Sequence, residues 1–476
     1  MEYETAPSPS EHIVDSHSFQ HGPTTTNAFG RSTPSPEALD AEIIRLIDLV
    51  SAQEPNFWSA GLAENNKSAH ALFQYPAMMV PSVQRRLVQI IKTANSAVNS
   101  VYDPFVGAGT TLAAGLANNL NCYGTDINPL AVLLSRVRVT PVSGIENIIK
   151  NVIEAASEDT SETIEVEFNN LWKWFDFPLA VDLSRIRRAI VQQSDKSARR
   201  FLWISLAETI RLCSNDRTST YKLHMRPEEE IEKRAPKAIE VFGSISSNNF
   251  RKLHDFHAEC PYLQDYPVHT AMVQHGDSRK AGNLRGLAPF DLLVTSPPYG
   301  DNLTTVTYGQ HSYLPLQWID LDDIEQGISR DILRTTQQID RDSVGGVPPQ
   351  NYKEEIDRLS QISPSFFRTI RNLETEPADR QKKVTAFCSD LDAVMRESVS
   401  LLCDNAYLVI TMGDRTVGKQ KVPNSEILTE LLNNAGVRKI HSIERGILNK
   451  RMAPRNSAAQ TMATETITIY RKLPNG

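Results

Sequence analysis

Between a short apolar run, Ser100-Val101-Tyr102, and the helix-forming segment TTLAAGLANNL lies the turn DPFVGAGTT, residues 103–111. No other stretch restricts the fold of this chain so strongly. Gly107 and Gly109 let the backbone pass close to a ligand where a side chain would clash. The following strand, CYGTDIN, ends at Asp126, 19 residues beyond Gly107. Strand, glycine turn, helix and strand in this order imply a parallel sheet with helices on its faces. The helix beginning near Thr110 has free N–H groups for an anionic group. An acid at the end of the second strand suits the hydroxyls of a ribose. Leu112 stands where a dinucleotide fingerprint needs its third glycine, and no GK[ST] follows, so an ATP P-loop is excluded. Taken alone, the GxG also fits a plain tight turn.

TSPPYGD, residues 295–301, directly follows the apolar run Leu292-Leu293-Val294. Pro297 and Pro298 lack N–H groups, so a strand must stop there, at the carboxyl edge of the sheet. Ligands of open α/β sheets sit at that edge. Ser296 adds a hydroxyl acceptor and Tyr299 an aromatic face for a planar ring. A rigid strand-ending turn with a buried tyrosine is the other reading of SPPY.

The pattern divides the chain as follows. Residues 1–34, rich in Ser, Thr, Pro and His, read as a flexible tail. Residues 35–141 hold a first helix, capped at Ser35-Pro36, and the glycine-turn part of the core. Residues 142–268 break the alternation and read as a helical insertion, in which Trp172, Trp174 and Trp203 are assigned to packing. Residues 269–319 carry the SPPY part of the core, 320–384 a second, polar insertion, and 385–476 the last strands, including NAYLVITM, KIHSIERG and ETITIYRK.

Charge and composition narrow the function. Fifty basic against 57 acidic side chains, net −7, exclude a protein that coats nucleic acid through bulk charge but leave room for a local basic cleft. Two loops are candidates for nucleic-acid contact: SNDRTSTYKLHMR, with Arg217, Lys222 and Arg226, and NKRMAPR, with Lys450, Arg451 and Arg455. Each also reads as an ordinary solvated loop. After SPPY, the stretch DNLTTVTYGQHSYLPLQW suits a lid or wall, with Tyr308 and Gln310 nearest the site. The five cysteines are scattered without a CxxC pair, and His224, His257 and His275 have no partner at ligand spacing, so no metal is expected. The same cysteine usage, the polar start and the lack of an ~18-residue apolar run point to a reduced cytoplasmic setting without a membrane span.

Together, DPFVGAGTT, Asp126 and TSPPY resemble the S-adenosylmethionine-dependent methyltransferases that modify exocyclic amines of DNA bases. The serine of SPPY is most similar to the N4-cytosine branch, since adenine enzymes more often carry Asp or Asn there. HALFQYPAMMVP is similar to the family's additional cofactor segment, which implicates Phe73, Tyr75 and Pro76. HGDSR is similar to the strand whose acid, here Asp277, meets the cofactor's adenine. The resemblance covers about residues 70–140, 270–319 and 385–472. It implies a Rossmann-like methyltransferase sheet, mostly parallel with an antiparallel C-terminal strand, plus the helical insertion as the candidate target-recognition region. It further implies S-adenosylmethionine held by Asp103, Pro104, Phe105, Gly107, Gly109, Thr110, Thr111 and Asp126. Methyl transfer to N4 of a cytosine flipped out of double-stranded DNA follows. Ser296, Pro297, Pro298 and Tyr299 form the catalytic set. The Ser296 hydroxyl and the Pro297 carbonyl hold the amine hydrogens so that the nitrogen lone pair turns to the methyl group, and the proton passes to Ser296 or to water. The implied setting is host DNA protection beside a cognate restriction nuclease or other defence protein. A DNA adenine-N6 enzyme, a tRNA guanosine-N2 enzyme and a catalytically idle cofactor-binding partner are the alternatives.

Overall fold

A computed structural model describes residues 34–59, 71–258, 260, 270–280, 282–446 and 464–474. Helix α1 (Pro36–Gln53) starts where the Ser35 hydroxyl accepts the Ala38 N–H and Pro36 takes a position whose own N–H would be unused. Helix α2 (Pro81–Ala94) turns Val83, Leu87, Val88 and Ile91 inward. It leads into β1 (Ser100–Asp103), the glycine turn, α3 (Thr110–Leu116), β2 (Asn121–Asp126) and α4 (Pro129–Val139). The later strands are β3 (Ala271–His275), β4 (Phe290–Thr295), β5 (Leu402–Met412), the short pair β6 (Arg415–Val417) and β7 (Gln420–Val422), β8 (Val437–Gly446) and β9 (Thr464–Lys472).

The main sheet has seven strands in the order β3-β2-β1-β4-β5-β9-β8. Strands β1 to β5 pair in parallel, and β9 runs antiparallel between β5 and β8. This is the mostly parallel, Rossmann-like sheet with an antiparallel C-terminal strand expected from the sequence. Alternate residues serve opposite faces, as the pleat requires. Val101, Leu292, Val294, Val409 and Ile469 pack under one set of helices, whereas Tyr102, Leu293, Leu408, Ile410 and Tyr470 pack under the other. Burial on both faces is why β4 and β5 read as nearly unbroken apolar runs.

Between β2 and β3 the chain builds helices Ile145–Glu158, Phe177–Val191, Lys196–Cys213 and Ala238–Ala258. Between β4 and β5 it builds Tyr308–Trp318, Tyr352–Ile362, Pro364–Asn372 and Ala378–Ser400, the last running through residues 384 and 385 without a break. Among the described residues no helix is long and apolar enough to cross a membrane. All but the last residue of the expected tail, 1–34, and the candidate contacts Lys450, Arg451 and Arg455 lie outside the described residues. One packing assignment is corrected: Trp174 and Trp203 are buried, but Trp172 is 60% exposed. Its helix is a single turn, Leu171–Trp174, which buries Leu171 and Trp174 and so turns Trp172 outward beside the ring of Phe177.

Asp40 fastens α1 to the far end of the sheet. It accepts from the Tyr407 hydroxyl at 2.9 Å, from Arg471 Nε at 3.0 Å and from Arg438 Nη2 at 2.9 Å, with Arg471 itself only 2% exposed. Removing one member of a buried ion pair leaves the other charge uncompensated. Asp40→Ala is therefore expected to lower the unfolding free energy by about 3 kcal/mol, read as a fall in the urea midpoint. An unchanged midpoint would show that Glu37, 3.0 Å from Arg471 Nη2, carries the contact alone.

Candidate active site

Parallel pairing brings the carboxyl ends of β1, β2, β3 and β4 to one edge. There the strand order reverses, with β2 on one side of β1 and β4 on the other. Asp103, at the end of β1, accepts from the Phe105 N–H at 3.0 Å and from the Thr295 hydroxyl at 2.6 Å, which ties the glycine turn to the strand before SPPY. In the turn, Gly107 and Gly109 have φ of +49° and +77°. A Cβ on Gly109 would lie 3.0–3.1 Å from Ser135, whose hydroxyl donates to the Gly107 carbonyl at 2.8 Å. The turn is thus a close crossing over α4 that only glycine permits. Asp126 closes it from the other side, accepting the Gly107 N–H at 2.9 Å and the Asn128 N–H at 2.8 Å.

These groups border a single cavity that opens to solvent. From the glycine turn come Pro104, Phe105, Val106, Gly107, Ala108 and Thr110. Asp126, Ile127 and Asn128 follow β2, and Gly276, Asp277 and Ser278 follow β3. Ser296 and Pro298 line it from the SPPY turn, with Asn302 and Tyr308 beyond, and Tyr75 to Met79 form another wall. The Tyr75 hydroxyl accepts from Asn128 Nδ2 at 3.2 Å, and its ring lies 5.7 Å from that of Tyr308. Asp277 is held by Arg279, whose Nε is 2.9 Å from each carboxylate oxygen. The same guanidinium reaches Asp390 at 2.8 Å and the Asp342 carbonyl at 3.1 Å.

Several residues singled out in the sequence do not line the cavity. Phe73 is fully buried in the core, 5.4 Å from the His311 ring. Asp103, Gly109 and Thr111 shape the turn from beneath, Thr111 by donating to the Val294 carbonyl at 3.2 Å. Pro297 is buried behind Ser296. Tyr299 sits beside it, its hydroxyl 3.4 Å from Ser296 Oγ, while Glu465 and Arg445 face that phenol from β9 and β8. Burial pushes the Tyr299 phenol well above its usual range, so it stays protonated at neutral pH.

Arg217 and Lys222 are exposed, and Arg226 pairs with Glu230 at 3.3 Å. Their loop reaches the cavity's neighbourhood: the Thr307 hydroxyl donates to the Tyr221 carbonyl, and the Leu223 N–H donates to Gln310 Oε1 at 3.4 Å. The segment between β4 and β5 also contributes what sequence reasoning missed. Asp340 is fully buried and accepts the N–H groups of Gly309 and Gln310 at 2.8 and 3.2 Å, capping the helix that carries Tyr308. Ile339, Asp342, Ser343 and Val344 line the cavity beside it. Glycine at 309 was the available signal, because a Cβ there would lie 2.9 Å from the Asp340 backbone. Among the described residues no cluster of His, Cys, Asp or Glu could hold a metal ion.

No family model matches the chain. It is 29% identical over 450 residues, 91% of this chain and 96% of the relative, to the type II methyltransferase M.MvaI of Kocuria varians. Among solved structures it is similar to a candidate DNA modification methylase from Thermus thermophilus, at 23% identity and TM-score 0.16, over 25% of this chain and 51% of that one. It is also similar to the rRNA methyltransferase aviRa from Streptomyces viridochromogenes, at 11% identity and TM-score 0.28, over 83% and 86% of the two chains. At those TM-scores the superpositions are loose, and the fold rests on the strand order itself.

Burial raises the carboxyls of Asp103, Asp126 and Asp340 to about 6 each. A carboxyl raised on folding adds stability that is complete below its unfolded value near 4 and is lost as pH rises through about 6. Asp126→Asn removes one such titration. The stability difference between the ligand-free proteins should therefore shift in the variant's favour between pH 4 and 7, as read from urea midpoints. A shift in the parent's favour would show that the folded state prefers ionised Asp126.

Proposed function

We propose that this chain is an S-adenosylmethionine-dependent DNA methyltransferase that acts on the N4 amine of cytosine, in the setting of restriction and modification. Similarity to M.MvaI across nearly the whole of both chains supports an enzyme that methylates nucleic acid. The observation that carries the finer reading is the meeting, in one cavity, of the glycine turn, Asp126 and the SPPY serine.

The cavity's residues fit the cofactor. Asp126 accepts backbone N–H groups from the glycine turn and the strand end, and of a carboxylate's roughly four acceptor sites this leaves capacity for a ribose hydroxyl. The left-handed glycine turn keeps side chains out of the way of an approaching ligand. Phe105 and Ile127 offer apolar surface for a planar base, and Asp277 an acceptor for its amine. When bound, S-adenosylmethionine supplies a methyl group on a positively charged sulfur that is already a good leaving group.

The chain's own task is then to present a poor nucleophile, an aromatic amine whose lone pair is delocalised into the ring. Ser296 Oγ, in the cavity wall, accepts one amine hydrogen and helps turn the lone pair out of that delocalisation. The Tyr299 phenol, 3.4 Å from Ser296 Oγ, fixes the hydroxyl's orientation. Acceleration comes from positioning and from preorganised acceptors, with no acid needed at the leaving group. Tyr308, in the cavity wall, and the exposed Arg217 and Lys222 of the loop that hangs on Thr307 and Gln310 are the groups we assign to the target base and its flanking duplex.

The test is incubation with methyl-labelled S-adenosylmethionine and mixed-sequence duplex DNA, followed by nucleoside mass spectrometry. N4-methylcytosine is the expected product. N6-methyladenine would overturn the cytosine assignment, and label in tRNA alone would move the substrate to RNA. Ser296→Ala is expected to bind S-adenosylhomocysteine like the parent but to turn over about 100-fold more slowly. Asp126→Ala should weaken S-adenosylhomocysteine binding about tenfold, and an unchanged Kd would remove Asp126 from the cofactor site.

A further inference from the structure

Asn302 lies six residues beyond Ser296, is 3% exposed, and lines the same cavity. Its Oδ1 is enclosed and has no hydrogen-bond partner among the described residues. Enclosed side-chain oxygens in native proteins are nearly always partnered, so an orphan at a cavity wall calls for an explanation.

The position is not loose. The neighbouring Asp301 is 1% exposed, and its carboxylate accepts the Thr304 N–H at 3.0 Å and the Thr304 hydroxyl at 2.6 Å. It also pairs with Arg415 at 3.4 Å, while its carbonyl accepts the Thr305 hydroxyl at 2.8 Å. Arg415 lies so close across the turn that a Cβ on Gly300 would overlap its guanidinium. The turn is therefore held by Asp301, and among the described residues the Asn302 amide oxygen takes no part in holding it.

An amide carries an acceptor and a pair of donors side by side. That is the complement of an amine next to an unprotonated ring nitrogen, the edge shown by cytosine and by adenine. The terminal torsion of asparagine is broad and nearly two-fold, so either end of the amide can turn to meet such an edge. We propose that Asn302 is a base-binding residue of the active site, its amide holding the amino and ring-nitrogen edge of the nucleobase whose amine faces Ser296. The inference rests on the methyl-transfer reading above and assigns one more residue to it. Ser296 acts on the amine alone; Asn302 fixes the plane of the base from which the amine projects.

Asn302→Leu, in the full chain, tests this, because leucine keeps the number and branching of the side-chain heavy atoms and removes both polar ends. Three quantities are read: the Kd of S-adenosylhomocysteine, methyl transfer to mixed-sequence duplex DNA per S-adenosylhomocysteine-binding site, and the thermal midpoint. The expected result is a Kd within twofold of the parent, transfer reduced about 10- to 100-fold, and a midpoint unchanged or raised now that the orphaned oxygen is gone. Asn302→Ala should lose transfer to the same degree. Transfer within twofold of the parent would overturn the proposal, as would a weakened Kd that explains the whole loss, since Asn302 would then serve the cofactor. A lowered midpoint with unchanged turnover per binding site would make Asn302 structural and overturn it equally. If the parent itself methylates no nucleic acid, the methyl-transfer reading falls first. If the parent is active and the leucine variant equally so, Asn302 alone is removed.

Discussion

Because β1 pairs in parallel with β2 on one side and β4 on the other, the chain must cross over in opposite directions to reach its two neighbours. The crossovers part at the carboxyl edge and leave a cleft there, as in other open α/β sheets. Everything at the cavity depends on that reversal. It sets the glycine turn against SPPY although 183 residues of chain separate Thr111 from Val294, which are joined by a hydrogen bond. The Asp103–Thr295 bond secures the same junction at the strand ends.

The two long segments between core strands stand differently to the cavity. The segment before β3 comes near it through the loop around Tyr221 and Leu223, which hangs on Thr307 and Gln310, the neighbours of the lining residue Tyr308. The segment after β4 forms part of the cavity wall through Ile339 and Asp342 to Val344, and its Asp340 caps the helix bearing Tyr308. Arg279 locks that wall to Asp277 by binding the Asp342 carbonyl and Asp390 together. The site carries costs that the rest of the fold must offset. Three carboxyls are pushed up by burial, and one amide oxygen goes unpartnered, at about 1–3 kcal/mol for such a group. Departures of this kind gather at functional sites.

Local chemistry made much of the fold legible. A left-handed turn admits glycine and little else, consecutive prolines end a strand, and a strand buried on both faces must be apolar throughout. DPFVGAGTT, SPPY and the runs in β4 and β5 could therefore be placed before any coordinates. Among the residues picked for the site, Tyr75, Pro76, Pro104, Phe105, Gly107, Thr110, Asp126, Asp277, Ser296, Pro298 and Tyr308 do line one cavity. Phe73 does not, because a phenylalanine in an apolar segment satisfies core and ligand surface equally well in sequence. Trp172 misled for the same reason, since helical spacing says nothing when the helix is one turn long.

By itself, then, the sequence determined the strand–turn–helix unit, the point at which β4 must end, and the residue types able to handle a ribose and an aromatic amine. Those follow from backbone geometry and functional-group chemistry, which act within a few residues. Only the tertiary structure decided that Asp340 caps the Tyr308 helix, that Glu465 and Arg445 face Tyr299, and that the Asn302 oxygen is left without a partner. Each of these depends on which groups from distant segments occupy the same few ångströms. A buried polar group is satisfied or orphaned by its neighbours in space, and its neighbours in sequence do not reveal which.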